Sequence, residues 1–285
     1  MKKVLSIAGS DCSGGAGIQA DLKTFSAQGV FGMSVIASVV AENTSRVLDI
    51  QNVTPDMVGR QMDAVFEDIE VDAVKIGMLS ASENMNEVAK KLREYNPPHV
   101  VIDPVMYAKN GCPLMAPASI RTLIERIIPL AEVLTPNIPE AEKITGTKIE
   151  SLADMEHAAK QICTMGCKAV VVKGGHAQHS AVDILYDGST IRYFDAPRIN
   201  TKNTHGTGCT FSAAIASQLA RGRNLHTAVE KAKAYVTMAI RHSLAIGKGC
   251  GPTHHFHDLY KHGLREETNT EAAILCQKQG GIDES

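Results

Sequence analysis

The feature that most restricts the fold is a rhythm in which short apolar runs alternate with amphipathic stretches along most of the chain. The run Val4-Leu5-Ser6-Ile7-Ala8 reads as a buried strand. A glycine-rich segment and a helix to about Gln28 follow it, with Gly29 suited to the C′ position. Residues 32–40 and 71–76 read as further strands, and Val100-Val101-Ile102 as one that stops at Asp103-Pro104. Thr54-Pro55 is an N-cap and N1 pair for a helix to about Asp68, and residues 82–95 are helical. The rhythm continues with a helix over 117–128 and a strand over 132–134 ending at Thr135-Pro136. A helix opened by Ser151 and Asp154 stops at Gly166, and a strand covers 169–172. Asp187-Gly188, between residues 182–186 and 190–194, predicts a hairpin. One long helix opens near Gly206 and another covers 225–244, with Leu225, Ala228, Val229, Ala232, Val236, Ala239 and Ile240 on one face. Strand alternating with helix predicts an α/β fold with a mostly parallel sheet covered on both faces.

Composition narrows the function. The chain has 285 residues, 44% of them hydrophobic, and 29 Lys and Arg stand against 31 Asp and Glu. So balanced a charge argues against a nucleic-acid partner, which a basic excess would attract. Aromatics are 4% and Trp is absent, so base-stacking platforms are not expected either. Seven Cys are scattered without a disulfide pattern, and the first apolar run is too short for a signal peptide or membrane span. The expectation is a soluble cytoplasmic protein with no membrane partner. Residues 1–260 are expected to form one domain, and the polar stretch 261–285 a mobile extension.

In open parallel sheets, ligands bind beyond the C-terminal ends of the strands. The polar residues there are Asp11 with the loop to Gly17, Asp21, Glu42, Gly77-Met78, Asp103, Asn137 with Glu140, and Lys173-Gly174-Gly175-His176. The segment Asn203-Thr204-His205-Gly206-Thr207-Gly208-Cys209-Thr210 then opens an apolar helix. Gly206 and Gly208 let several backbone N–H groups turn one way, and the helix dipole adds positive potential. Such a nest suits an anion, including a phosphoryl group in flight. A thiol on that first turn, Cys209, is expected to have a lowered pKa. The early segment Gly14-Gly15-Ala16-Gly17 has neither the dinucleotide spacing nor the Walker A ending.

These motifs, in this order, closely resemble hydroxymethylpyrimidine/phosphomethylpyrimidine kinases of thiamine biosynthesis. The matching segments are 7–25, Lys75-Ile76-Gly77-Met78-Leu79, Asp103-Pro104-Val105-Met106, Thr135-Pro136-Asn137 with Glu140, 173–176 and 203–210. The resemblance runs from about Val4 to His257. It implies a ribokinase-like three-layer fold, a homodimer, and MgATP-dependent phosphorylation of 4-amino-5-hydroxymethyl-2-methylpyrimidine and then of its monophosphate. It also implies that Ala16, Asp21, Glu42, Met78, Val105 and Cys209 line the pyrimidine pocket, and that Gly206, Thr207, Gly208 and Cys209 form the anion hole. Asp103 and Glu140 would serve Mg²⁺, and Asn137, Lys173 and Thr207 the ATP phosphates.

Two positions stand apart. Many ribokinase-like sugar kinases carry Asp where Cys209 stands, so here either the thiol acts as the base or no residue does. At Glu42 other family members carry Gln, and a carboxylate only accepts hydrogen bonds where an amide also donates. Cys163 and Cys167 read as packed thiols, and His254, His255 and His257 as packing or substrate-side contacts rather than a zinc site. Pyridoxine, pyridoxal and pyridoxamine kinases are the alternative, because their substrates also join a small heteroaromatic ring to a hydroxymethyl group. A non-catalytic sensor of pyrimidine or nucleotide is a further alternative.

Overall fold

A computed structural model describes residues 1–108, 111–174 and 181–263. β1 (Lys3–Asp11) leads through α1 (Gly17–Ala27) to β2 (Phe31–Glu42), and β3 (Val47–Asn52) folds back against β2. α2 (Pro55–Phe66), β4 (Ala73–Ile76), α3 (Ser82–Tyr95) and β5 (Val100–Ile102) follow. Next come α4 (Pro117–Thr122), β6 (Val133–Leu134), α5 (Ile138–Thr145), α6 (Leu152–Cys163) and β7 (Ala169–Val172). The hairpin β8 (Asp183–Tyr186) and β9 (Ile191–Phe194) precedes α7 (Thr207–Ala220), α8 (Leu225–Arg241) and α9 (His257–His262).

The described strands form one nine-stranded sheet in the order β3-β2-β1-β4-β5-β6-β7-β8-β9. Strands β2, β1, β4, β5, β6 and β7 run parallel, while β3, β8 and their neighbours pair antiparallel. Alternation along β1 divides the interior. Leu5 and Ile7 face one core with residues of α2, α3, α5 and α6, while Val4 faces another with residues of α1, α7 and α8. This is the three-layer arrangement expected. Because β1 pairs with β2 on one side and β4 on the other, the chain leaves β1 toward one edge and later returns toward the other. The crevice that such a reversal opens lies at the C-terminal end of β1.

Local chemistry explains most boundaries. Thr54 caps α2 through Met57 N, and Gly29 takes the left-handed conformation (φ 72°) after α1. Ser151 and Asp154 form the capping box anticipated for α6. Asn137 and Glu140 form a second one on α5, which the sequence reading did not identify. β3 was also not anticipated: it is an edge strand with no fully buried residue. The helix expected over 117–128 is instead α4, a π-helical turn (Leu123–Ile127) and a 3-10 turn (Ile128–Leu130). The last long helix stops at Arg241, three residues before the expected Leu244.

The chain divides into a unit of residues 1–255 and a second beginning at Phe256. Lys261 and His262 close α9, so the first residues of the expected extension are helical. The rest of that extension, 264–285, lies outside the described residues, as do Gly175 and His176.

Candidate functional site

α7 packs against β1, β4 and β5, which brings its N-terminus to the C-terminal ends of those strands. Gly206 is its N-cap, with φ 77° and no capping side chain. A Cβ there would also fall 1.8 Å from Gly15 O, so only glycine fits this close approach. Gly208 sits against charged groups: a Cβ on it would lie 3.0 Å from Asp103 Oδ2 and 3.4 Å from Lys173 Nζ. The first turn of α7 therefore lies against an acid and a lysine from two different strand ends.

Lys173 Nζ bonds Asp103 Oδ1 at 2.8 Å, and Thr135 Oγ1 donates to the same oxygen at 3.3 Å. Burial alone would lower the Lys173 pKa, but the carboxylates of Asp103 and Glu140 raise it instead. Glu140 is buried, and its Oε2 accepts from Asn137 N at 2.8 Å while Asn137 Oδ1 accepts from Glu140 N at 2.8 Å. Burial pushes the Glu140 carboxyl up to about 7, Lys173 opposing and Asp103 adding to the rise. The two acids and the lysine thus share one field.

On the other side of the nest, Asp21 is fully buried. Its Oδ2 accepts from Lys75 Nζ at 2.8 Å and from Ser6 Oγ at 2.6 Å. Only one of its oxygens is used in this way: Oδ1 has no hydrogen-bond partner. Lys75 belonged to a quoted motif but received no role, and its ammonium proves to be fully buried against Asp21. Its charge acts on Cys209, as do those of Asp21 and Asp103.

Burial pushes the Cys209 thiol up to about 11. Lys75 and a bond from Gly17 N–H pull it down, and the two carboxylates push it up. The expected lowered pKa is therefore reversed, since enclosure and two nearby acids outweigh the helix dipole.

Around the end of β1, Asp11 Oδ1 accepts from Ser13 N at 2.7 Å, while Oδ2 accepts from Gly15 N at 3.0 Å and Ala16 N at 2.8 Å. His205 Nε2 bonds the same Oδ2 at 2.9 Å. Burial opposes ionisation of Asp11, but these donors outweigh it and hold the carboxyl at about 2. Glu42 ends β2 close by. Burial, then the charge of Asp11, push it up to about 7, with His205 opposing. Glu42 and His205 line a cavity of about 270 Å³ together with Thr44, Ala108 and Cys250.

Ala16 N-caps α1, and Met78 is nearly buried with its Cε packed on Gly9. Ala16, Glu42, Met78 and Cys209 therefore gather about the end of β1. Val105 follows Asp103 in a turn, its N–H bonded to Asp103 O at 2.8 Å. Thr207 Oγ donates to Thr204 O at 2.8 Å. His255 packs beneath α7, with Nε2 3.0 Å from Thr210 Oγ1, and burial lowers it to about 4. Cys163 Sγ bonds Cys167 O at 3.2 Å, a packed pair as anticipated.

A switch-point crevice in a parallel sheet, faced by a glycine-bearing helix N-terminus, an acid and a lysine, is the arrangement of a ribokinase-like kinase. Structural comparison agrees. The ADP complex of Bacillus subtilis pyridoxal kinase superposes with a TM-score of 0.83 at 40% identity, over 90% of this chain and 98% of that one. Phosphomethylpyrimidine kinase from Clostridium difficile 630 gives 0.76 at 46% identity, over 84% of this chain and 100% of that one. The sequence pattern described as phosphomethylpyrimidine kinase matches residues 11–254, and the chain belongs to that family. A hydroxymethylpyrimidine/phosphomethylpyrimidine kinase of Bacillus subtilis is 49% identical over 256 residues, 89% of this chain and 94% of that protein.

Proposed function

We propose that the protein is an ATP-dependent kinase of thiamine biosynthesis. It phosphorylates the hydroxymethyl group of 4-amino-5-hydroxymethyl-2-methylpyrimidine and then converts the monophosphate to the diphosphate. The observation that carries this reading is the meeting of α7's first turn with Asp103 and Lys173 at Gly208. Phosphoryl transfer needs alignment and charge neutralisation more than covalent chemistry, and this junction supplies both.

In the first step the substrate hydroxyl oxygen attacks the γ-phosphorus, the bond from that phosphorus to the β-bridging oxygen breaks, and ADP departs. The amides of residues 206–209 hold the phosphoryl oxygens, and Lys173 turns from Asp103 toward the phosphates. The hydroxyl proton passes to the Cys209 thiolate. The second step starts from a phosphate monoester that is already an anion and needs no such base.

Two carboxylates and an amide side chain, all oxygen donors, suit Mg²⁺, which is held through one or two carboxylates, waters and phosphates. Asp103 and Glu140 would hold it, and it would neutralise charge on the phosphates. Ala16, Asp21, Glu42, Met78 and Val105 would enclose the ring. Asn137 and Thr207 would serve the nucleotide.

The reading carries a homodimer in the cytoplasm. No helix among the described residues is long and apolar enough to cross a membrane, which is compatible with it. Sedimentation tests the dimer. The deciding experiment gives purified protein MgATP and hydroxymethylpyrimidine and reads the mono- and diphosphate. Stabilisation by the pyrimidine without turnover would instead mark a sensor. The similarity to a pyridoxal kinase favours a second reading, activity on pyridoxal-type rings. ATP consumption with pyridoxal tests it.

A further inference from the structure

We propose that Asp11 and His205 form a positioning pair that sets the amide nest of residues 206–209 by clamping the loop after β1 onto the N-terminus of α7. The inference rests on the kinase reading above and assigns a role to two residues outside the expected site.

Three observations carry it. First, the bond from His205 Nε2 to Asp11 Oδ2 joins residues 194 positions apart, with Asp11 2% and His205 7% exposed. It is a buried tie rather than a surface contact. Second, the two loops touch backbone to backbone at this tie. A Cβ on Gly15 would fall 2.2 Å from His205 Cδ2, and one on Gly206 would fall 1.8 Å from Gly15 O. Third, His205 is held from behind as well. Its N–H donates to Gly251 O at 3.0 Å, and its carbonyl accepts from Thr253 N at 3.4 Å. His205 immediately precedes Gly206, so a fixed His205 fixes where the first amides of the nest begin.

Asp11 serves both sides of the clamp. The carboxylate that holds His205 also gathers the N–H groups of Ser13, Gly15 and Ala16. Gly17, on the same loop, donates its N–H to Cys209 on the opposite one. Moving either loop therefore moves the nest and the thiol together. A metal ion is the competing use, because Asp11, Glu42 and His205 present ligand atoms within 4.8 Å of one another. Between them the two Asp11 oxygens already engage four donors, so a cation there would have to displace bonds that shape the loop. The tie needs only a proton on Nε2, which neutral imidazole and imidazolium both offer, so no titration is invoked.

The test compares His205→Leu with His205→Gln, whose amide can still donate to Asp11, and with Asp11→Asn. Steady-state kinetics with MgATP and hydroxymethylpyrimidine are read beside thermal melting. His205→Leu is expected to lose on the order of 10²-fold in kcat, as a displacement of about 1 Å can cost, with KM for ATP nearly unchanged. His205→Gln should recover at least about a third of the parent kcat. Asp11→Asn should follow His205→Leu, and it decides the matter should the leucine variant not fold. A folded His205→Leu or Asp11→Asn with kcat within about twofold of the parent overturns the proposal. So does a glutamine variant as impaired as the leucine one. An inactive parent would instead overturn the kinase reading.

Discussion

Lys75 Nζ lies 2.8 Å from Asp21 Oδ2, and neither side chain is reached by solvent. Despite burial, the carboxylate holds the Lys75 pKa above its ordinary value, so the ammonium keeps its charge. Ser6 adds a hydrogen bond to the same oxygen, while Asp21 Oδ1 has no partner. A half-satisfied carboxylate inside the fold is costly, and a charge that acts on Cys209 gives the pair a use beyond packing.

Lys75→Met should therefore destabilise the protein by about 3–5 kcal/mol, because it leaves the Asp21 charge unpaired in the interior. The double variant Lys75→Met/Asp21→Leu should regain much of that loss. Urea unfolding of the parent, both single variants and the double closes the cycle. A double variant less stable than either single would refute the account.

Affinity for hydroxymethylpyrimidine should fall as pH rises through about 7, the value to which burial and Asp11 push Glu42. Below it the carboxyl keeps its proton and can donate to a ring nitrogen while accepting from the amino group. Above it the group only accepts. Glu42→Gln should bind with an affinity that stays flat between pH 6 and 8.5. Calorimetric titration across that range measures both, and a flat parent curve would remove the protonation argument.

Gly208→Ala separates stability from chemistry. The position is helical with no positive φ, so alanine should leave melting unchanged or raise stability by up to about 1 kcal/mol. Its methyl would press on Asp103 Oδ2 at 3.0 Å and crowd Lys173 at 3.4 Å. A fall in kcat on the order of 10²-fold is expected. Wild-type turnover in this variant would show that the phosphoryl group does not pass there.

Cys209 should give the two half-reactions different pH profiles. With the thiol pushed up to about 11, its thiolate fraction grows about tenfold per pH unit below that value. The first phosphorylation should accelerate from pH 7 to 9, and the second should not. Cys209→Ala should impair the first step more than the second and flatten its profile. Equal losses in both steps would rule out the base role.

Most of the fold could be read from period and punctuation. Strong apolar runs such as 4–8 and 169–172 are buried strands because parallel strands are covered on both faces. β3 escaped because an edge strand needs little apolar content: Leu48 is 59% exposed, and the run Val47–Asn52 has no buried residue. The break after Thr122 escaped because apolar spacing does not report whether a turn closes in α, π or 3-10 fashion. Within the site, single residues at strand ends were legible, and their partners were not. Lys75 meets Asp21 across 54 positions and His205 meets Asp11 across 194, and no local pattern encodes such pairings. Cys209 was misjudged for the same reason. The dipole that lowers a thiol pKa is local, whereas the enclosing wall and the two acids come from elsewhere in the chain.

The sheet's reversal at β1 separates two kinds of evolutionary constraint. Residues that fill the two cores lie along the strands and helices, whereas the candidate site residues lie past the strand tips and on the opening turn of α7. Exchanges at the tips can retune ring preference while the layers beneath keep their interdigitation. The same scaffold matches both a pyridoxal kinase at 40% identity and a phosphomethylpyrimidine kinase at 46%.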